Sequence, residues 1–148
     1  VWAVGVGAAR RAPRRGEGTP PRCYRPGMII ADTEGARRDA GLVLEFFGTV
    51  LSGEKDTGAV PRFLAEDFVD HDADGDPGRQ GVVGKLDALW TARPQAYFRP
   101  LQVIAAAGHV VVRSLLECPG APSVPFSDTY RLADGRITEH WHVVGSAR

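Results

Sequence analysis

Four side chains in this sequence could move a proton or hold a metal if the fold brings them together. His140 and His142 stand two apart in the run from Arg136 to Val144, whose alternation predicts a strand. Both imidazoles then share one face, and Glu139 and Trp141 take the other. Imidazole titrates near neutrality, which suits general acid/base work. Asp128 lies inside a second strand-like run, Phe126-Ser127-Asp128-Thr129-Tyr130-Arg131. An acid in mid-strand is unfavourable unless it is exposed or partnered. Partnered, Asp128 would orient one of the histidines or share its proton. His71 follows the short apolar pair Phe68-Val69. Two strand histidines with His71 and Asp128 could also ligate a metal. The pattern predicts a pair of satisfied pocket histidines without metal.

Whether Asp128 faces the histidines depends on register. Asp134-Gly135 predicts a hairpin turn, because both residues accept positive φ at low cost. A plain two-residue turn pairs Thr129 with His140 and Ser127 with His142, which puts Asp128 on the face of Glu139. A four-residue loop or a bulge reverses that, so the hairpin leaves both arrangements open. A second acidic motif is weaker. Asp70-His71-Asp72-Ala73-Asp74-Gly75 opens like a calcium-binding loop, but Gly81 stands where a bidentate glutamate must close the site. An ordinary solvated acidic turn is the better account. Cys118, beside Pro119, has nothing near it in sequence to lower its pKa and is read as structural.

These residues need a scaffold, and the chain reads as helices followed by strands. From Thr33 to Leu51 apolar residues recur at three- and four-residue spacing, with Asp32 or Thr33 as N-cap and Gly53 at the end. A short helix is expected over Thr57 to Leu64, a brief strand at Phe68-Val69, a loop over Asp70 to Gln80 and a third helix from Gly81 to Ala92. Four strands are predicted after that: Tyr97 to Ala107, His109 to Glu117, Ser123 to Ala133 and Arg136 to Val144. Three helices before a strand meander predict an α+β domain, a curved antiparallel sheet packed on the helices. Such a sheet encloses a cone that can hold a ligand, with Trp90, Phe46, Phe68, Tyr97 and Tyr130 as candidate core or wall aromatics.

Composition narrows the function classes. The 148 residues are 43% hydrophobic and 24% charged, enough for one packed domain, and 18 basic residues balance 18 acidic ones. Zero net charge argues against a dedicated nucleic-acid binder. No apolar run approaches the ~20 residues of a membrane-spanning helix. Cys23 and Cys118 are too few for a disulfide scaffold, which suggests a reducing, cytoplasmic setting. The balance hides an asymmetry, since residues 1–27 hold six arginines against one glutamate. That segment is Gly- and Pro-rich and is expected to be a disordered basic extension. Met28 is the only methionine, so the working protein is expected to start there, leaving a single domain over 28–148.

The segment from Asp128 to His142, Asp-Thr-Tyr-Arg-Leu-Ala-Asp-Gly-Arg-Ile-Thr-Glu-His-Trp-His, resembles the closing signature of SnoaL-like polyketide cyclases, D-x-F-R-x-x-D-G-K-I-x-E-H-W-D. His71 looks like the histidine of that family's Q-H-N segment. The order of elements is similar to the cone fold shared with nuclear transport factor 2 and ketosteroid isomerase, over about residues 36–146. The resemblance implies an intramolecular aldol condensation that closes a ring of an aromatic polyketide with no metal or organic cofactor. The aspartate that ends the family signature is its acid/base, and here that position is His142. Carried over, the expectation is catalysis by His142, Asp128 and His71, with His140, Trp90, Phe68, Tyr130 and Phe46 binding substrate. A homodimer acting on a small molecule, without nucleic acid or membrane, completes that expectation. The alternatives are a dehydratase or isomerase of the same fold, or a non-catalytic binding or dimerisation module.

Overall fold

The computed structural model describes residues 29–147. The expectations for residues 1–27, Cys23 and a start at Met28 lie outside the described residues. Strand β1 (Ile29–Ala31) leads into helix α1 (Glu34–Phe46). The Thr33 hydroxyl accepts a hydrogen bond from the Ala36 amide at 3.1 Å, and Glu34 adds negative charge where the helix dipole favours it. Ala36, Ala40, Val43 and Phe46 form its buried stripe. The helix continues as a π-helical turn over Phe47–Ser52 rather than as α-helix to Leu51. The wider winding brings the adjacent Phe46 and Phe47 both into the core, together with Val50 and Leu51.

A 3₁₀ turn (Thr57–Ala59) and the single-turn α2 (Val60–Phe63) carry the chain into β2 (Leu64–Asp70), longer than the brief strand expected. Helix α3 spans Arg79–Ala92. Strands β3 (Tyr97–Ala106), β4 (His109–Glu117), β5 (Val124–Ala133) and β6 (Arg136–Val144) follow. They form an antiparallel meander whose tight turns, Ala107-Gly108 and Asp134-Gly135, have positive φ at both residues.

The sheet order is β1-β3-β4-β5-β6-β2. The two edge strands were not read as partners of the meander, and each joins it in parallel: β1 beside β3, and β2 beside β6. The second of these pairings builds the site, because it lays Asp70 directly against His140. Helix α1 covers β3 and β4, and α3 packs against β2. The α+β class and the three helices on a curved sheet agree with the expectation. Among the described residues no helix is long and apolar enough to cross a membrane.

Candidate functional site

The sheet and helices enclose a cavity of about 900 Å³. Its walls are mostly apolar, with Phe46, Phe68, Leu89, Phe98, Phe126 and Tyr130 among them. Polar groups concentrate where β2, β5 and β6 meet: Asp70, Asp128, His140 and His142 all reach the cavity, joined from α3 by Lys85.

The convergence depends on one extra residue in β6. Near the turn Leu132 pairs with Ile137, but beyond it Arg131 pairs with Glu139, so Thr138 is an unpaired bulge. On β5 the buried residues Phe126, Asp128, Tyr130 and Leu132 alternate without a break. On β6 the buried Ile137 and the inward His140 are three apart, which an unbroken strand would place on opposite faces. The bulge absorbs the difference. It pairs Tyr130 with His140 and Asp128 with His142, the arrangement that the two-residue turn alone would have excluded.

His140 is the centre of the polar group. Its Nε2 lies 3.1 Å from Asp128 Oδ1 and its Nδ1 lies 3.4 Å from Asp70 Oδ1. Lys85 Nζ is 3.2 Å from the second Asp70 oxygen, and Ser114 Oγ is 3.5 Å from the second Asp128 oxygen. Tyr130 stacks on the imidazole, with ring centroids 4.8 Å apart, and His142 stacks on it at 5.4 Å. Burial works against a charged imidazole, but the two carboxylates outweigh it and push the His140 pKa from 6.5 up to about 9. At Asp70 burial likewise opposes charge, and the His140 and Lys85 contacts win, holding the carboxyl well below the usual carboxylate range. Burial, then the charges of Asp128 and Asp70, push the Tyr130 phenol well above 10. At neutral pH the cavity floor therefore holds an imidazolium clamped between two carboxylates.

Phe46, Phe68, Tyr130 and His140 line the cavity, and His142 and Asp128 line it beside them. Two expectations are corrected. His71 lies outside the cavity lining, because Asp70 takes the inward position at the end of β2 and the next residue must point the other way. Its ring stacks on Trp141 at 4.5 Å, and its Nε2 is 2.8 Å from Glu139. Trp90 also lies outside the lining: it packs edge-on behind Phe98, with Lys55 Nζ 4.9 Å from its ring centroid.

The acidic loop is no calcium cage. Asp70 serves His140 and Lys85, while Asp72 accepts the His142 backbone N–H at 2.7 Å. Gly81 is glycine because the Asp76 carbonyl oxygen would lie 1.9 Å from any Cβ there. That contact seats the loop on the helix that carries Lys85.

Asp70 and Lys85 are the site residues that the sequence reading missed. Signals for both were present. Asp70 follows the inward Phe68 by two residues, and Lys85 sits on the apolar stripe of α3 between Val82 and Leu89.

The SnoaL-like domain family model matches residues 43–140. Among solved structures, a candidate polyketide cyclase from Bacillus cereus superposes with a TM-score of 0.69 at 18% identity, covering 81% of this chain and 85% of that one. A candidate SnoaL-like polyketide cyclase from Jannaschia gives 0.65 at 18% identity, covering 78% and 90%. AclR from Streptomyces galilaeus, a candidate hydroxylase, gives 0.63 at 19% identity, covering 74% and 80%. At these identities the likeness establishes the fold alone, and one fold hosts different chemistries. No curated protein matches the sequence.

Proposed function

The chain belongs to the SnoaL-like family, and on that premise we propose that it is a small-molecule enzyme closing a ring of a polyketide-type substrate by cofactor-independent aldol chemistry. The observation that supports this reading most is the contrast within the cavity: apolar, aromatic walls that suit a flat polyketone, and one polar corner where Asp128, His140 and His142 converge. A cavity of about 900 Å³ is of ligand-binding size.

The roles follow from what each group can still do. His140 has a carboxylate on each ring nitrogen and keeps its proton, so it serves as a fixed positive charge rather than as the base. His142 lines the same corner and is the proton carrier. It takes a proton from a carbon flanked by two carbonyls, and the C–H electron pair becomes the enolate. The enolate carbon attacks a ketone carbon of the same molecule, so a C–C bond forms and the C=O π pair moves onto oxygen. His142 returns its proton to that alkoxide, which leaves the enzyme unchanged. The His140 imidazolium lowers the energy of both anions in a site shielded from water. Asp128 orients His140 and supplies carboxylate charge opposite His142, where the family signature has the aspartate itself.

The test is turnover of polyketone substrates chosen by thermal shift, comparing the native protein with His142→Ala. A loss of about 10²–10⁴-fold in kcat/KM with the fold intact is expected for a general acid/base. Turnover unchanged in the variant would overturn the catalytic assignment and leave a ligand-binding module.

A further inference from the structure

The same corner offers a second chemistry that excludes the first: a bound cation would take the place of the His140 proton and would occupy the His142 ring that otherwise carries one. Asp70, His140 and His142 can each offer one donor atom such that the three lie within 4.8 Å of one another. We propose that Asp70, His140 and His142 form a binding site for one divalent first-row transition cation, open on the side that faces the cavity.

Three observations carry this. The first is spacing. The Asp70 Oδ1 to His140 Nδ1 separation is already 3.4 Å, and donors around such a cation stand about 3–3.5 Å apart. His142 is the next inward residue of the same strand and stacks on His140 at 5.4 Å, so only its ring has to move inward. The second is the support around the ligands. Asp128 Oδ1 lies 3.1 Å from His140 Nε2 and accepts that N–H, so the Nδ1 proton facing Asp70 is the one a cation would displace. A carboxylate behind a ligating histidine is the arrangement that fixes its tautomer in metal sites. Lys85 takes Asp70 Oδ2, while Oδ1 accepts the Asp72 backbone N–H at 3.2 Å and has its second lone pair for the cluster, and the Asp72 carboxylate holds the β6 backbone at the His142 N–H. The third is charge. Four aspartates line the cavity (Asp70, Asp72, Asp74 and Asp128) against Lys85 and Arg93. A proton on His140 supplies one positive charge to that surplus; a divalent cation supplies two.

Two imidazoles and one carboxylate suit zinc, iron(II), manganese or cobalt better than calcium or magnesium. Three protein ligands leave coordination positions open toward the cavity, where the cation can polarise a carbonyl oxygen of a bound ligand. This holds whether or not the protein cyclises polyketides, since the cation is read without substrate.

The test is titration of the chelator-stripped full chain with Co²⁺, followed by visible d–d absorption. One equivalent per chain is expected, with Asp70→Asn and His142→Gln each weakening binding by at least tenfold. Asp128→Asn weakens it by about 10–100-fold through the ligand it orients. His71→Ala, on the opposite face, binds as the native chain does. His142→Cys adds a thiolate-to-cobalt charge-transfer band absent from the native chain and from an otherwise identical Cys23→Ser/Cys118→Ser background without the new thiol. No d–d absorption at millimolar Co²⁺, or unchanged absorption in the Asp70→Asn/His142→Gln double variant, overturns the proposal.

Discussion

His71, the residue after β2, and His140 on β6 each have a carboxylate oxygen close to a ring nitrogen, at 2.8 Å for His71 and 3.1 Å for His140. By residue type and distance they are the same interaction. They differ in the face of the sheet they occupy. The His71 side chain is 38% exposed, on the outer face, where its partner Glu139 is shared with Arg131. The His140 side chain is 16% exposed, lies between two carboxylates, and has its pKa pushed to about 9. Water screens the first pair and is largely excluded from the second, so the inner pair keeps its charge inside a binding cavity. A histidine and an acid within reach do not make a site; the side of the sheet decides.

The contrast can be broken most directly by removing the two imidazoles in turn. His140→Ala leaves Asp70 and Asp128 facing each other without the cation between them, and should cost about 3–5 kcal/mol. His71→Ala should stay within about 0.5 kcal/mol. Urea unfolding of the two variants measures both, and equal losses would erase the distinction.

A smaller effect is expected from pH, measured as melting temperature with chelator present. His140 binds its proton more tightly folded than unfolded, so its stabilisation is complete below pH 6.5 and is lost as pH rises through about 9. Asp70 acts in the opposite sense: its contribution is present above 3.8 and fades as pH falls through its lowered folded value. Stability from this corner is therefore greatest between those limits. Asp128→Asn should flatten the alkaline limb, and Glu139→Gln should leave it as it was.

The smallest effect sharpens the comparison from the other side. In a histidine titration followed by NMR, Asp128→Asn should lower the His140 midpoint, and Glu139→Gln, on the outer face, should leave that midpoint in place.

The sequence was informative where one period runs unbroken. Strands β4 and β6 have the predicted ends, His109 to Glu117 and Arg136 to Val144, because alternation and the Asp134-Gly135 turn bound them clearly. The N-cap at Thr33 was legible for a similar local reason. What escaped was long-range. Ile29–Ala31 is too short to show a period, and its strand character comes from pairing with residues 103–105. The parallel seating of β2 on β6 brings together residues seventy positions apart, Asp70 and His140, and no local pattern announces it. The misplacement of His71 has the same origin, since the phase of β2 is set by that partner strand. Trp90 reads as a wall residue by residue type, whereas its ring lies edge-on to Phe98, and of the two Phe98 lines the cavity.

Thr138 carries a consequence of its own. Because it is the single unpaired residue between the turn and the histidines, loss of its codon would leave the reading frame and every side chain of the site unaltered. With an even strand, Ile137 and the pair His140 and His142 could no longer face inward together. The shortened chain would have to choose between a filled core beside the turn and an equipped cavity beyond it. A residue that lines no cavity thus acts as the phase shifter of the hairpin, and at this point the fold constrains chain length more than residue type.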